Sequence, residues 1–210
     1  MNTDPGDLLL RPVPLRTPRV AWFDIENEPT SFRERFPLTK PIAIAAGWDA
    51  SAMWHWAKGG RQTLAQGLTT WREKFYEPAD MVAGHNIRDH DLPIINAAML
   101  RCDLPPLGAK LTLDTLRDLV PLKGVGRSLE ALCVYFGLDE HKHHIAEAEW
   151  EDLWSMDTPA RRAEVVERCS SDVRINMALG KLLANRGWLK PPKVWRPWTT
   201  AARVQGSEVA

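Results

Sequence analysis

Four acidic residues stand at three separate places in the sequence, and each place adjoins a segment with a clear secondary-structure pattern. Asp24 and Glu26 end a strand-like apolar run, Asp91 enters a helix-like segment, and Asp172 lies within a long helical pattern. Carboxylates brought around one point repel one another and lose hydration, so a fold keeps them there only with compensating cations. Divalent metals with oxygen ligands are the usual compensation, and two such ions side by side can cleave a phosphodiester. A fold that gathers these acids therefore indicates a metal site.

The order of strand-like and helical segments predicts an α/β fold. Strand patterns occupy residues 20–26, 42–48, 52–56, 81–86 and 110–115, and helical patterns occupy 61–77, 89–102, 128–136 and 158–187. Short connections between the first three strands favour an antiparallel meander. Later strands alternate with helices, which favours a mixed β-sheet flanked by helices on its faces. Ser128 and Thr158 are predicted helix N-caps, and Gly137 and Gly187 are predicted helix ends.

We expect three regions in the 210 residues. Residues 1–17 contain three prolines and are predicted to be an extended leader. Residues 18–187 carry the acidic places and form the predicted catalytic domain. Residues 188–210 form a basic tail rich in tryptophan and proline.

The composition says more about where the protein is located than about its function. The 27 basic residues balance the 27 acidic ones, so any charged partner must be inferred from local patches. Three widely separated cysteines favour reduced thiols in the cytosol. No apolar run approaches the roughly 20 residues needed to span a bilayer, and no signal-peptide pattern is present. We therefore expect a soluble cytoplasmic protein with no membrane partner.

Each acidic place also has a plain structural interpretation. An Asp-x-Glu pair in a strand is commonly solvated surface. Asp91 could complement a helix dipole, as could neighbouring Asp89. Asp172 could form a salt bridge with Arg168 or Arg174.

Taken together, the three places resemble the motifs of the DEDD 3′–5′ exonucleases, the DnaQ-like branch of the ribonuclease H-like fold. Residues 23–26 resemble the first motif, and Asn86 followed by Asp91-Leu92-Pro93 resembles the second. Residues 169–173 resemble the third. The linking segments 113–116 and 128–132 also stand where that family has a strand and then a helix. The resemblance extends over about residues 18–183.

By this resemblance Asp24, Glu26, Asp91 and Asp172 are the catalytic acids and bind two Mg²⁺ or Mn²⁺ ions. Such ions lie about 3.5–4 Å apart, and one activates a water while the other neutralises the leaving oxygen. The implied function is metal-dependent hydrolysis from the 3′ end of single-stranded DNA. RNA is an equally compatible substrate by sequence. A polymerase or another replication or repair protein would be a partner in a separate chain.

The sequence departs from that family at the usual general base. The positions that commonly carry Tyr or His are occupied by Arg168 and Glu167. Arginine stays protonated and cannot accept the proton, although it can hold a scissile phosphate. Three interpretations remain open: the metal-bound water needs no side-chain base; His143 or its neighbours His141 and His144 supply one; or the protein binds nucleic acid or another protein without cutting.

The C-terminal segment favours contact with nucleic acid. No acidic residue occurs between Asp172 and Glu208, whereas basic residues and tryptophans alternate there. Cations meet phosphates and aromatic rings stack on bases, a combination suited to single strands. The alternative is that the tryptophans pack back on the domain or on another protein. The predicted nucleic-acid contacts are Lys190, Lys193, Trp195 and Arg196 in this segment, with Asn86 and Arg168 nearer the acids.

Overall fold

The computed structural model describes residues 17–28, 39–138 and 156–197. The predicted leader up to residue 16 and the histidines at 141, 143 and 144 lie outside these ranges, as does the tail beyond 197. The predictions for those residues stay predictions.

A six-stranded mixed sheet forms the centre of the fold, with strand order β3-β2-β1-β4-β5-β6. The strands are β1 (Val20–Asn27), β2 (Pro41–Gly47), β3 (Met53–Ala57), β4 (Met81–Gly84), β5 (Lys110–Asp114) and β6 (Lys193–Trp195). The first three form the predicted antiparallel meander. β1, β4 and β5 run parallel, and β6 is antiparallel to β5. The predicted α/β class with a mixed sheet, consistent with a ribonuclease H-like fold, is confirmed.

The helices begin and end close to their sequence signals. They are α1 (Leu64–Trp71), continued by a π-helical segment (Arg72–Tyr76), α2 (Asp91–Arg101), α3 (Leu129–Phe136) and α4 (Pro159–Asn185). The Ser128 and Thr158 side chains accept hydrogen bonds from the first turns of α3 and α4, as predicted. Gly137 ends α3 with a φ of 67°, a conformation that glycine adopts without a side-chain clash.

Helices cover both faces of the sheet. Alternation along β1 sends Phe23 and Ile25 into a core shared with α1 and α2. The same alternation sends Trp22 into a second core against α4, where it meets Cys169 and Val173. α3 packs on the far half of α4 in a third cluster. Both faces of β1 are thus largely buried. The acids near its carboxyl end lie at the edge of the two hydrophobic cores.

The sheet continues past residue 187, where the sequence predicted the domain to end. Residues 193–195 pair with β5, and the Lys190 amide donates to the Asp118 carbonyl at 2.7 Å. Trp195 is only 9% exposed and belongs to the core beneath α2. The indole of Trp195 therefore packs back on the domain, which was the alternative to contact with nucleic acid. Little of its ring is exposed to stack on a base.

Two expectations about the chain's environment bear on described residues. Cys102, Cys133 and Cys169 are free thiols. Within the described ranges, no helix combines the length and apolar character required to cross a bilayer.

Candidate metal centre

The end of β1 presents two carboxylates to the same face of the sheet. Asp24 and Glu26 are two residues apart, so both side chains point toward α4. On the neighbouring strand the residues opposite them are Ala45 and Ala43, both fully buried. Small side chains at these positions leave space above the sheet for the carboxylates.

α4 brings the third carboxylate. Asp172 is 3% exposed and lies one turn after Arg168 on the helix face that packs on β1. The Cys169 thiol fixes the approach of the helix, since it donates to the Asp24 carbonyl at 3.3 Å. Carboxylate oxygens of Asp24, Glu26 and Asp172 all lie within 4.8 Å of one another. This acidic group could hold a metal ion, because clustered carboxylate oxygens are the donors that hard divalent cations prefer.

The negative charge of these acids affects the pKa of Cys169. Burial raises the pKa of this thiol well above its ordinary value, and the charges of Asp24, Glu26 and Asp172 raise it further. Cys169 is therefore a protonated thiol that packs and donates a weak hydrogen bond.

The fourth acid reaches the same place from the loop after β4. Asp91 begins α2 and is 2% exposed, and its Oδ1 accepts a hydrogen bond from the Ile25 amide at 3.2 Å. Burial raises the pKa of Asp91, an effect opposed by its hydrogen bond with His90. The same hydrogen bond raises the pKa of His90. Because Ile25 lies between Asp24 and Glu26, this contact places Asp91 beside the other three acids.

A buried network holds the loop that carries Asp91. Asp114, at the end of β5, accepts hydrogen bonds from the amides of Asn86, Arg88, Leu116 and Arg117 at 2.9–3.1 Å. Asn86 has a φ of 63°, a left-handed conformation that asparagine tolerates better than most residues. These bonds fix the path of the chain between β4 and α2.

Arg88 completes this network through Asp118. Its Nη2 lies 2.5 Å from Asp118 Oδ1, and both carboxylates, those of Asp114 and Asp118, are fully buried. From the sequence, Asp114 was assigned only to the linking segment 113–116, and no role in the site was predicted for it. Its position at the end of a parallel strand was the signal that it would lie near the acidic residues.

Arg168 places a positive charge at the acidic cluster. Its Nε donates to Glu26 Oε1 at 2.8 Å, and the two side chains are only 13% and 12% exposed. Arg174, the other basic residue predicted as a salt-bridge partner of Asp172, pairs with Glu167 at 2.5 Å. Asp89, the alternative residue for the helix dipole, pairs with Arg117.

A cavity of about 310 Å³ opens over the acids. All four predicted acids line it, together with two other predicted site residues, Asn86 and Arg168. Sequence reasoning did not select His85 and Ser128 as site residues, although one directly follows β4 and the other caps α3. The lining residues are Asp24, Ile25, Glu26, His85, Asn86, His90, Asp91, Ser128, Leu129, Arg168 and Asp172.

The predicted contacts in the C-terminal segment do not line the acidic cavity. Lys193, Trp195 and Arg196 instead line a groove of about 720 Å³ between α2 and β6. Arg88 and Asp89 line the near end of this groove, while His90 and Asp91 line the cavity. Residues 88–91 therefore border both spaces. Lys190 lies outside both sets of lining residues and the predicted His143 lies outside the described part of the chain.

Comparison with known proteins gives a structural likeness. No family model matches the chain, and no curated protein matches it. Among solved structures it is similar to the family B DNA polymerase from the hyperthermophilic archaeon Pyrobaculum calidifontis, with a TM-score of 0.61 and 18% identity. The match covers 80% of this chain but 25% of the polymerase chain. At this identity the likeness establishes the fold, a mixed α/β sheet of a kind that also occurs within a DNA polymerase.

Proposed function

We propose that this protein is a metal-dependent 3′–5′ exonuclease that releases nucleotides from single-stranded DNA. The observation that carries the proposal is the meeting of three carboxylates within 4.8 Å, with Asp91 on the same cavity. The chain delivers these acids from a strand, a loop and a helix that are distant in sequence. Such convergence of buried charge is costly and is typical of a functional site.

The residues present fit divalent cations. Asp24, Glu26 and Asp172 would hold one Mg²⁺ or Mn²⁺ ion, and Asp91 with Asp24 would complete the place for a second. When bound, such ions lower the pKa of a water and offset charge on the leaving oxygen. The hydrogen bond from the Ile25 amide holds the Asp91 carboxylate in position. Arg168 offers a guanidinium at the cavity, suited to a scissile phosphate.

No tyrosine or histidine stands at residues 167 and 168, so the attacking water needs another route to deprotonation. A divalent cation held by these acids would lower the pKa of a water that it binds and would reduce the need for a side-chain base. Catalysis by His143 or its neighbours remains the second route. Alanine at each of His141, His143 and His144 distinguishes the two, since unchanged turnover in all three variants removes the histidine route.

The groove between α2 and β6 is the proposed path for the strand behind the scissile bond. Its apolar wall, formed by residues such as Pro93 and Leu104, suits bases, while exposed Lys193 and Arg196 suit phosphates. Arg88 lines this groove, and Asp91, three residues further along the chain, lines the acidic cavity. DNA is the proposed substrate because one solved structure with a similar fold is a DNA polymerase.

The experiment is shortening of 5′-labelled single-stranded DNA and RNA oligonucleotides by the purified full chain. We expect stepwise loss of nucleotides from the 3′ end of DNA with Mg²⁺ or Mn²⁺ and none with chelator. Asp24→Asn and Asp172→Asn should each abolish the shortening. Faster shortening of RNA would reassign the substrate, and retained activity in both variants would contradict the proposed centre.

A nucleic-acid-binding or protein-binding module is the second candidate, and the Arg168–Glu26 ion pair favours it because a cation already neutralises one acid. Under this alternative neither oligonucleotide is shortened with any metal, and single-stranded DNA still binds. The same purified protein tests both candidates.

A further inference from the structure

Arg168 and the proposed metal ions need the same carboxylate. Glu26 Oε1 accepts the Arg168 Nε hydrogen at 2.8 Å, and Glu26 is also one of the three acids whose oxygens cluster within 4.8 Å. Both side chains are nearly buried, so solvent screens this pair far less than a surface pair. A divalent cation entering the cluster therefore meets a fixed positive charge at one of its ligands.

We infer that Arg168 is a built-in competitor of divalent metal, and that a substrate phosphate relieves the competition. This inference rests on the proposed metal centre and concerns how that centre is loaded. Without nucleic acid, the guanidinium neutralises Glu26 and weakens metal binding. When a phosphate enters the cavity, the guanidinium moves to it and frees Glu26 for the metal.

The side chain is suited to serve two anions in turn. A guanidinium carries five N–H donors in a planar fork that matches both a carboxylate and a phosphate. Buried Cys169 and Val173 hold the backbone of α4 in place, so the proposed exchange moves the Arg168 side chain and leaves the helix where it is. A neutral tyrosine at this position, as in the family that the sequence resembles, would not compete for Glu26.

The exchange has a thermodynamic consequence. If phosphate frees a metal ligand, phosphate raises the affinity for metal, and metal must raise the affinity for phosphate by the same factor. Metal and nucleotide should therefore bind cooperatively in the wild-type protein. Removing Arg168 should remove the competition and most of the cooperativity together.

The first measurement is Mn²⁺ binding to the full chain by isothermal titration calorimetry without nucleotide. We expect Arg168→Gln to bind Mn²⁺ at least about fivefold more tightly than wild type, the lower end of usual coupling between sites. Arg168→Met, which removes the same charge, should behave alike. Arg174→Gln is the matched control, because Arg174 lies on the same helix and pairs with Glu167 at the surface. Its Mn²⁺ affinity should equal that of wild type.

The second measurement repeats the titration with a nucleoside monophosphate, which supplies the phosphate without a bond to cleave. The nucleotide should tighten Mn²⁺ binding in wild type and in Arg174→Gln by at least about fivefold. In Arg168→Gln and Arg168→Met most of this gain should disappear. Thermal unfolding in chelator adds a structural readout, since removal of the Arg168 charge from the acidic cluster should lower the midpoint and Mn²⁺ should restore it.

The outcomes separate this inference from the proposed function. Unchanged or weaker Mn²⁺ binding in both Arg168 variants would overturn the competition while leaving the metal centre intact. Tighter binding with undiminished cooperativity would overturn the exchange with phosphate. Failure of the wild-type protein and of both Arg168 variants to bind Mn²⁺, with or without nucleotide, would overturn the metal centre itself, and the inference with it.

Discussion

Two kinds of buried carboxylate lie within this fold, and their partners separate them. Asp114 accepts four backbone hydrogen bonds and an ion pair from Arg88, so its charge is fully used by the structure. Asp24 has carboxylate oxygens of two other acids within 4.8 Å. The first arrangement stabilises the fold, and the second stores repulsion that a bound cation can relieve.

Asp-to-Asn substitution should therefore affect the unfolding free energy differently at these two positions. Asp24→Asn should leave the unfolding free energy of the metal-free protein within about 1 kcal/mol of wild type, or raise it, because one of three neighbouring charges is gone. Asp114→Asn should lower it by roughly 3 kcal/mol, because Arg88 loses a buried partner. Urea unfolding in chelator measures both values. A larger loss for Asp24→Asn than for Asp114→Asn would contradict the distinction.

Cysteine reactivity follows from burial and the acidic field. Cys169 is fully buried with a raised pKa, so it stays a thiol at pH 8, whereas Cys102 is partly exposed. Iodoacetamide should modify Cys102 first in the native protein, and Cys169 only after unfolding. Mass spectrometry of timed samples checks this order. Early modification of Cys169 would show that α4 does not pack on β1 as described.

At the scale of elements, the contact between α4 and β1 sets the geometry of the acids. Gly180 faces Trp22 so closely that an added Cβ would lie 2.1 Å from Cη2 of the indole. Trp22 shares a strand with Asp24, and Gly180 shares a helix with Asp172. The close approach of these two elements is therefore what places carboxylates from each within reach of one another.

Gly180→Ala should force the helix away from the strand. We expect a loss of about 1–3 kcal/mol in unfolding free energy, the usual cost of overpacking a core, together with weaker Mn²⁺ binding. Gly108→Ala is the matched control, since an added Cβ there meets nothing within 4 Å. The control should be neutral or slightly stabilising. Equal stability of the two variants in urea would contradict the close contact.

At the scale of the whole molecule, the distribution of charge matters more than its sum. The formal charge is +0, yet residues 173–207 carry no acidic side chain. The fold places part of this basic segment, Lys193 and Arg196, along the groove beside α2. Arg61 lies near β3, at the opposite edge of the sheet.

Removing the groove cations should weaken binding of single-stranded DNA and its dependence on salt. For Lys193→Ala with Arg196→Ala, the slope of log K against log salt should fall by about 1.4, since each phosphate contact on a single strand contributes about 0.7. The control, Lys58→Ala with Arg61→Ala near β3, should leave the slope unchanged. Fluorescence anisotropy at several salt concentrations measures the slopes. Equal slopes for wild type and both double variants would exclude the groove as the strand path.

Local signals in the sequence were enough to predict the helices and the strands other than β6, and to place the acidic residues on them. The caps at Ser128 and Thr158 and the alternation along β1 depend on backbone conformation and side-chain period, which neighbouring residues set. The mixed sheet followed from the order and spacing of these elements. α1 shows the limit, because the helical pattern over residues 61–77 does not reveal that the last turn, Arg72–Tyr76, is π-helical.

Only the tertiary structure shows which side chains and strands contact one another. Arg168 and Glu26 are 142 residues apart, and nothing near either residue in the sequence identifies the other. Likewise, the pairing of β6 with β5 depends on an open sheet edge that exists only after the parallel strands have assembled. The sequence by itself determined the helices and strands other than β6, and which residues carry charge. Tertiary packing alone decided which charges meet, because contacts between distant segments depend on the whole core.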